Sequence, residues 1–174
     1  MKDWRIAFAA AAGTAALIGT AHAITDTAFT YSTPKLGFFS IHPRALSPNT
    51  NTMGYIISTN QAQISGTSTG CFATAVNLPQ GAKVETIVTW YASGAGQTPT
   101  VGLFRQHQSD GVSDGYNVAL LSNTGARVQN TINVAGNLTI DNSAYSYEFH
   151  FCPASSDNIF YTARIKYTYT NAGD

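Results

Sequence analysis

Apolar and polar residues alternate with a period of two in several segments after residue 24. Residues 82–92, AKVETIVTWYA, place Val84, Val88 and Trp90 on one side of an extended strand. Residues 144–152, AYSYEFHFC, place Tyr or Phe at every second position in the same way. This alternation is typical of strands with one buried face and one solvated face. It predicts a β-rich domain whose core includes Trp90.

Further candidate strands are separated by clusters of Gly, Pro, Asn, Asp and Ser, which favour turns. Strands at this close spacing predict an all-β fold, an antiparallel β-sandwich of which the jelly roll is one form. We find no Pro- or Ser-rich linker and no internal repeat, so we interpret residues 24–174 as one domain. The further candidate strands are residues 28–32, 36–42, 53–58, 70–78, 99–106, 116–122, 126–140 and 158–170.

The last two candidate strands, 144–152 and 158–170, both carry apolar residues at odd positions and are joined by a short loop. We therefore expect an antiparallel hairpin that pairs Phe151 with Ile159 and brings Glu148 within diagonal reach of Arg164. On this interpretation, the odd-numbered tyrosines of the last strand lie in the core: Tyr161, Tyr167 and Tyr169.

Residues 1–23 have the pattern of a secretory signal peptide. Lys2 and Arg5 precede an uncharged, Ala-rich run, and Ala21-His22-Ala23 is a small-x-small cleavage sequence. The apolar run is short for a membrane span, and none is expected after cleavage. We expect a mature chain that begins at residue 24 and is secreted, to the periplasm if the host has an outer membrane.

Residues 24–34 form the start of the expected mature chain, with Phe29 and Tyr31 alternating with polar residues. We interpret this segment as an edge strand of the same domain. The alternative is an assembly arm that adds a strand to a neighbouring subunit.

Charged residues make up 10% of the chain, the formal net charge is zero, and neither sign is clustered along the sequence. This balance argues against a nucleic-acid partner, because such partners need basic tracks. It also argues against an anionic membrane surface. We expect an extracellular ligand or self-association, and no cofactor.

Cys71 and Cys152 are the two cysteines of the chain. An even number of cysteines in an oxidising compartment predicts a disulfide between them. The alternative is a pair of buried thiols.

Sequence motifs give little support for catalysis. The chain contains no His-Glu-x-x-His motif. Residues 66–70, GTSTG, match Gly-x-Ser-x-Gly in letters, but that motif works in a strand-to-helix turn and no helical periodicity follows it. We therefore expect no catalytic residue and no enzyme activity. His42 and His107 lie near strand ends, and His150 shares a strand face with Glu148 and Cys152. Neighbours on one strand face stand about 7 Å apart, which is too far for three of them to bind one metal ion.

Three loop or strand-end features remain as candidate sites. Asp110 and Asp114 in DGVSDG are weak calcium candidates, with a hydrophilic turn as the alternative. Asp141 and Asn142 favour an Asx turn over ion binding. Tyr91, beside the Gly-rich residues 93–96, is the candidate for an exposed ring that stacks on a sugar.

The order of several short motifs resembles a loose group of secreted bacterial β-sandwich domains of unknown function. Residues 78–84 read LPQGAKV and enter a strand, residues 138–147 read LTIDNSAYSY, and residues 163–168 read ARIKYT. Leu103-Phe104-Arg105 lies between the first two. The resemblance covers residues 70–170, implies the fold and the location, and carries no catalytic motif.

Together these features predict a secreted, non-enzymatic β-sandwich that acts by binding or assembly at or outside the cell surface. Two alternatives stay open. A carbohydrate-binding module would show two or three exposed aromatic rings in one plane. A hydrolase of an unfamiliar type would show converging carboxylates, or a His–carboxylate pair, in a pocket.

Overall fold

The computed structural model describes residues 29–58, 62–64, 70–94, 98–122 and 125–172. The predicted signal peptide, residues 1–23, lies outside the described residues. Within the described ranges, no helix is long and apolar enough to cross a membrane.

The described part of the chain is built from eleven strands and one short 3-10 helix, Pro43–Ala45. The strands are β1 (Phe29–Ile41), β2 (Ser47–Pro48), β3 (Tyr55–Ile57), β4 (Ala62–Ile64), β5 (Phe72–Ala75), β6 (Lys83–Ala92), β7 (Thr100–His107), β8 (Ser113–Leu120), β9 (Val128–Thr139), β10 (Tyr145–Cys152) and β11 (Ile159–Ala172).

The strands form two antiparallel sheets. Sheet A has the order β3-β4-β11-β6-β9. β4 pairs with the start of β11, at Ile159 and Phe160, and β1 pairs with the same edge of β11 from Ala163 onward. Sheet B has the order β2-β5-β10-β7-β8. Every recorded strand pair is antiparallel. The predicted fold class, an antiparallel β-sandwich, is confirmed.

The core lies between the inner faces of the two sheets. Phe160 of β11 is fully buried and meets two rings from sheet B, with centroids 5.8 Å from Phe149 and 5.2 Å from Phe151. Ile165 of sheet A and Leu103 of sheet B are also fully buried. Burial of such side chains, about 1.5–3 kcal/mol each, is the main favourable term that holds the sheets together.

The expected hairpin between the last two strands is wrong. β10 lies in sheet B between β5 and β7, so both of its edges are occupied, whereas β11 lies in sheet A. The intervening loop, 153–158, carries the chain across the sandwich. Phe151 and Phe160 therefore contact each other between the sheets, with their ring planes at 45°, and Glu148 and Arg164 lie in different sheets.

Asn158 stabilises the shape of this crossing loop. It is fully buried, and its Oδ1 accepts hydrogen bonds from the backbone N–H groups of Ala154 (2.6 Å) and Ser155 (3.0 Å). The loop also packs against Gly94, where an added Cβ would lie 2.6 Å from the Cβ of Asp157. A buried polar side chain needs hydrogen-bond partners, and this carboxamide oxygen has two.

Two β-bulges change which residues face the core. The register shifts between Val84 and Thr86 in β6, and between Phe160 and Thr162 in β11. Each extra residue reverses the alternation that follows it. The predicted core positions of Trp90 and Tyr161 are therefore wrong: both are partly exposed, whereas Phe160 is fully buried.

The predicted disulfide between Cys71 and Cys152 is confirmed. Cys71 directly precedes β5 and Cys152 ends β10, next to the paired residues Phe72 and Phe151. The bond therefore continues the β5–β10 ladder by one position, at the point where the chain leaves sheet B for the crossing loop.

The described part of the N-terminal segment, 29–34, lies along its own domain. Thr30 is opposite Asn171 of β11, and the ring of Tyr31 contacts Tyr169 edge-on at 5.8 Å. The pairing is interrupted before Lys35, in a stretch that includes Pro34, and resumes to the end of β1. Whether the segment also contacts a second copy stays a prediction.

The two loop motifs that carry the resemblance are bonded to each other. The Gln80 side chain accepts a hydrogen bond from the Asn142 N–H (2.6 Å) and donates one to Asp141 Oδ1 (3.3 Å). The hydroxyl of Tyr147 accepts a bond from the Asp141 N–H (2.8 Å). Gly81, with φ of 73°, makes the tight turn that brings the two loops together. The contacts join β6 and β9 of sheet A to β10 of sheet B.

Asp141 also forms the expected Asx turn. Its Oδ1 accepts bonds from the Ser143 hydroxyl (2.6 Å) and the Ser143 N–H (3.1 Å). The Ser143 hydroxyl, followed by Gln80, holds the pKa of Asp141 below its ordinary value of 3.8. The ionised carboxylate is therefore the form that stabilises this pair of loops.

Removing the disulfide should lower the stability of the fold. For the 81-residue separation, the chain-entropy relation gives about 4.5 kcal/mol less free energy of unfolding for the Cys71→Ala/Cys152→Ala double variant. Denaturant titration of both proteins measures this difference. Equal midpoints and slopes would contradict the prediction.

Asp141→Asn should destabilise the protein in a pH-dependent way. Because the folded-state pKa is lowered, the stabilisation is present above pH 3.8 and is lost as the pH falls through the lowered value. The difference in unfolding free energy between wild type and variant should therefore shrink in acid. Denaturant titrations at pH 7 and below pH 3.8 test this, and a constant difference would show that the charge plays no part.

Candidate functional site

The outer face of sheet A carries an aromatic and cationic surface on three adjacent strands. Phe38 of β1, Arg164 of β11 and Trp90 of β6 form this surface, which we call the aromatic platform. Phe38 is 51% exposed, Arg164 is exposed and Trp90 is partly exposed. The three side chains face outward because Phe39, Ile165 and Tyr91, their neighbours in sequence, face the core.

Strand register places the three side chains on a diagonal. Arg164 is opposite Val88 of β6, and Trp90 is the next outward-facing residue of β6. On the other side of β11, Phe38 of β1 is opposite Lys166, the next outward-facing residue of β11. Diagonal neighbours across a sheet lie within reach of long and aromatic side chains. Val88 is only 7% exposed although it faces outward.

The guanidinium of Arg164 interacts with both rings of the platform. Its Cζ atom lies 4.9 Å from the centroid of Phe38 and 5.7 Å from that of Trp90. Such cation–π contacts contribute about 0.5–1 kcal/mol each at exposed sites. The two rings hold the Arg164 guanidinium in place on rigid strands. Little further side-chain entropy is therefore lost when a ligand binds this guanidinium.

The surroundings of the platform are polar. On the neighbouring strand β9, Gln129 is opposite Trp90 and Thr131 is opposite Val88, and both side chains are exposed. Near the end of the same strands, the Cζ atom of Arg127 lies 4.6 Å from the ring centroid of Tyr161. The platform thus combines ring faces with amide, hydroxyl and guanidinium groups.

Tyr91, the predicted surface ring, is buried and cannot form a platform. It is fully inaccessible, and its hydroxyl donates a 2.7 Å hydrogen bond to the carbonyl of Ser122. Burial raises the pKa of this hydroxyl above 10.0. The bulge at Glu85 exchanges the faces of Tyr91 and Trp90, so strict alternation assigns each of them to the wrong side.

The calcium candidates Asp110 and Asp114 are bonded to other groups of the protein. Asp110 Oδ1 accepts a hydrogen bond from the Val112 N–H (2.9 Å) and shapes the β7–β8 turn. Asp114 Oδ2 lies 3.4 Å from Arg105 Nη2 and 3.2 Å from His107 Nε2. The cationic guanidinium of Arg105 at this carboxylate disfavours a second cation there. In the described ranges, no group of three or more His, Cys, Asp or Glu side chains could hold a metal ion.

His150 interacts with Glu148 as a hydrogen-bonded pair on the outer face of sheet B. Its Nε2 lies 2.9 Å from Glu148 Oε2, and its ring stacks on Phe104 with centroids 4.2 Å apart. Cys152, the third residue of that row, is in the disulfide. His42, by contrast, follows β1 and accepts a bond from the Arg44 N–H through Nδ1 (3.2 Å).

His107 belongs to a packed cluster at the end of sheet B. Its ring contacts the Tyr145 ring edge-on, with centroids 4.6 Å apart, and the Arg105 Cζ atom lies 4.5 Å from the centroid of Tyr145. The Asp114 carboxylate lies between the Arg105 guanidinium and the His107 ring. We interpret the His107–Asp114 pair as part of this cluster, because the carboxylate is shared with a guanidinium.

A polar cleft of about 270 Å³ lies near this end of sheet B, next to the loop motifs. Asn77, Gln108 and Asn142 line it, together with Tyr145 and Glu148. Two of its polar groups are already engaged, since the Gln108 side chain donates to the carbonyl of Asn142 (3.0 Å). The cleft is a second place where a small polar ligand could bind.

No protein-family model and no curated protein matches this chain. The group that the sequence motifs resemble therefore stays a prediction.

Among solved structures, the chain is similar to several carbohydrate-binding modules. One is the C-terminal CBM6 of a marine laminarinase from Zobellia galactanivorans, with 12% identity, a TM-score of 0.48, and coverage of 74% of this chain and 98% of that one. Another is a xylan-binding module, CBM15, with 12% identity, a TM-score of 0.48, and coverage of 80% and 99%. A family 29 module has 9% identity, a TM-score of 0.46, and coverage of 77% and 89%. At these values the similarities assign no ligand to this chain.

Proposed function

We propose that this protein is a non-catalytic extracellular binding module whose aromatic platform binds the ring faces of a carbohydrate. The observation that carries the proposal is the diagonal of Phe38, Arg164 and Trp90 on an outer sheet face. The class of partner follows from the chemistry of this surface. Sugar rings present C–H groups on their faces, which pack on aromatic rings, and hydroxyls at their edges.

The exposure of the platform supports this function. Phe38 and Trp90, on either side of Arg164, leave apolar ring surface in water. Clustered apolar surface of this kind marks binding sites more often than chance. Trp and Arg are also enriched among residues that dominate binding energies. The exposed Gln129 and Thr131 side chains lie where hydroxyls at the edge of a bound ring would reach them.

The disulfide is compatible with action outside the cytoplasm, where such bonds persist. The signal peptide at residues 1–23 and membership of the secreted β-sandwich group remain parts of this proposal.

Phe38→Ala and Trp90→Ala should each weaken binding to a recognised polysaccharide by about tenfold or more. Truncating an anchor residue costs about 2 kcal/mol or more, and each 1.4 kcal/mol is about tenfold in affinity. The measurement is depletion of the mature protein onto insoluble cellulose, xylan and chitin, with affinity electrophoresis in soluble glucans. Val112→Ala is the matched control, because Val112 is 53% exposed in the β7–β8 turn, away from the platform.

The outcomes separate the candidate sites. Binding that survives both platform variants but is lost in Asn77→Ala would assign the ligand to the polar cleft. A wild-type protein that binds no polysaccharide in the panel would contradict the proposed function. Thermal melts of each variant check that the fold is retained.

Self-assembly is the second candidate function, and it is favoured by the exposed edge of sheet B. Val118 (49%) and Leu120 (72%) are exposed on β8, which pairs with β7 alone among the described strands. An unpaired, apolar strand edge can add a strand from another chain. The N-terminal segment is the candidate for that added strand. To be donated, its residues 29–34 exchange their contacts with β11 of their own domain for the β8 edge of a second copy.

Deletion of residues 24–34 should convert an assembled form to a folded monomer, because the deletion removes the strand that would be donated. Size-exclusion chromatography with light scattering measures the assembly, and circular dichroism checks the fold. An unfolded product or an unchanged oligomer would contradict this role for the segment.

A further inference from the structure

The outer face of sheet A carries most of the basic side chains of the described strands. Lys83 of β6, Arg164 and Lys166 of β11 lie on it, and Arg127 stands at its end, directly before β9. The one carboxylate on this face, Glu85, binds Lys166 with Oε2 2.6 Å from Nζ. In the described part of the chain, Lys83, Arg127 and Arg164 have no carboxylate within 4.0 Å.

The acidic side chains lie elsewhere. Apart from Glu85, the acidic side chains of the described residues belong to sheet B or to connecting loops: Asp110, Asp114, Asp141, Glu148 and Asp157. Among the described residues, Lys83, Arg127 and Arg164 are therefore cations without a carboxylate partner that are gathered at the outer face of sheet A. Uncompensated cations of one sign create a potential that attracts anions to that face.

Arg164 is positioned to receive a planar anionic group. A guanidinium presents donors in a fixed fork that matches a carboxylate or a sulfate with two parallel hydrogen bonds. Contacts with Phe38 and Trp90 orient this fork between two ring surfaces. A ligand made only of hydroxyl-bearing rings has no group that needs an uncompensated cation at that position.

We propose that the aromatic platform selects acidic glycans, which carry carboxylate or sulfate groups, over neutral glycans of the same backbone. The inference rests on the proposed carbohydrate-binding function and specifies its ligand. The anion pairs with Arg164, the sugar ring packs on Phe38 or Trp90, and Lys83 and Arg127 add longer-range attraction.

A nucleic acid is the competing polyanion. Its backbone carries a phosphate at every nucleotide and is bound by continuous basic tracks. Here Glu85 neutralises Lys166 in the middle of the face, so the cations do not form a track. We therefore favour the glycan and include single-stranded DNA as an arm of the test.

Two matched pairs of polymers test the inference. Polygalacturonate and its methyl ester share a backbone and differ in the carboxylate, whereas dextran sulfate and dextran differ in the sulfate. We expect the mature protein to bind the acidic member of at least one pair about tenfold more tightly at low salt. Rising ionic strength should reduce this preference, because exposed charges are screened. The pair that shows the preference identifies the anion.

Arg164→Gln should abolish the preference, because it should lower the affinity for the acidic member much more than the affinity for the neutral member. Arg164→Lys should restore part of it, since the charge remains but the planar fork is lost. Arg44→Gln is the matched control, because it removes one exposed positive charge from the 3-10 helix, away from the platform. Isothermal titration calorimetry gives the affinities.

Each result supports or overturns the inference. Equal affinity for acidic and neutral members would overturn it while the proposed function stands. Equal losses for both members in Arg164→Gln would also overturn it, because the arginine would then only position the rings. Tighter binding of single-stranded DNA than of any glycan would replace the glycan with a nucleic acid. Failure to bind any glycan would contradict the proposed function itself.

Discussion

The crossing of the chain from sheet B into sheet A is the constraint on which the arrangement of the sheets depends. By accepting hydrogen bonds from Ala154 and Ser155, the buried Asn158 stabilises the loop that makes this crossing. β11 then becomes the strand that β1, β4 and β6 all pair with. Arg164 lies on that strand, so the platform has the correct neighbours only because the loop crosses the sandwich.

Two connections fasten the two sheets independently. The phenylalanine contacts fill the middle, and the bonds among Gln80, Asp141 and Tyr147 join the loops at one end. The disulfide acts within sheet B, where it ties β5 to β10. Hydrophobic burial acts without direction, whereas the loop bonds require particular atoms at particular positions. This explains why the sequence motifs of both loops are polar although they serve the fold.

The strands, the sandwich and the disulfide could be predicted from the sequence, because alternation and cysteine count are local or countable features. The bulges at Glu85 and Tyr161 could not, since one extra residue changes the face of everything beyond it without changing composition. Tyr91 and Trp90 were consequently assigned to each other's faces. The platform also escaped prediction because Phe38, Trp90 and Arg164 are far apart in sequence and meet only through strand order.

The basic side chains on the outer face of sheet A have a consequence for how the molecule approaches a surface. A protein with zero net charge is not drawn strongly toward a charged polymer as a whole. Lys83, Arg127 and Arg164, which have no carboxylate of the described residues within 4.0 Å, nevertheless gather at this face. An anionic matrix attracts the face, so the protein turns the surface that carries Phe38 and Trp90 toward the matrix. The balanced charge of this chain therefore orients the protein at an anionic matrix and does not concentrate it there.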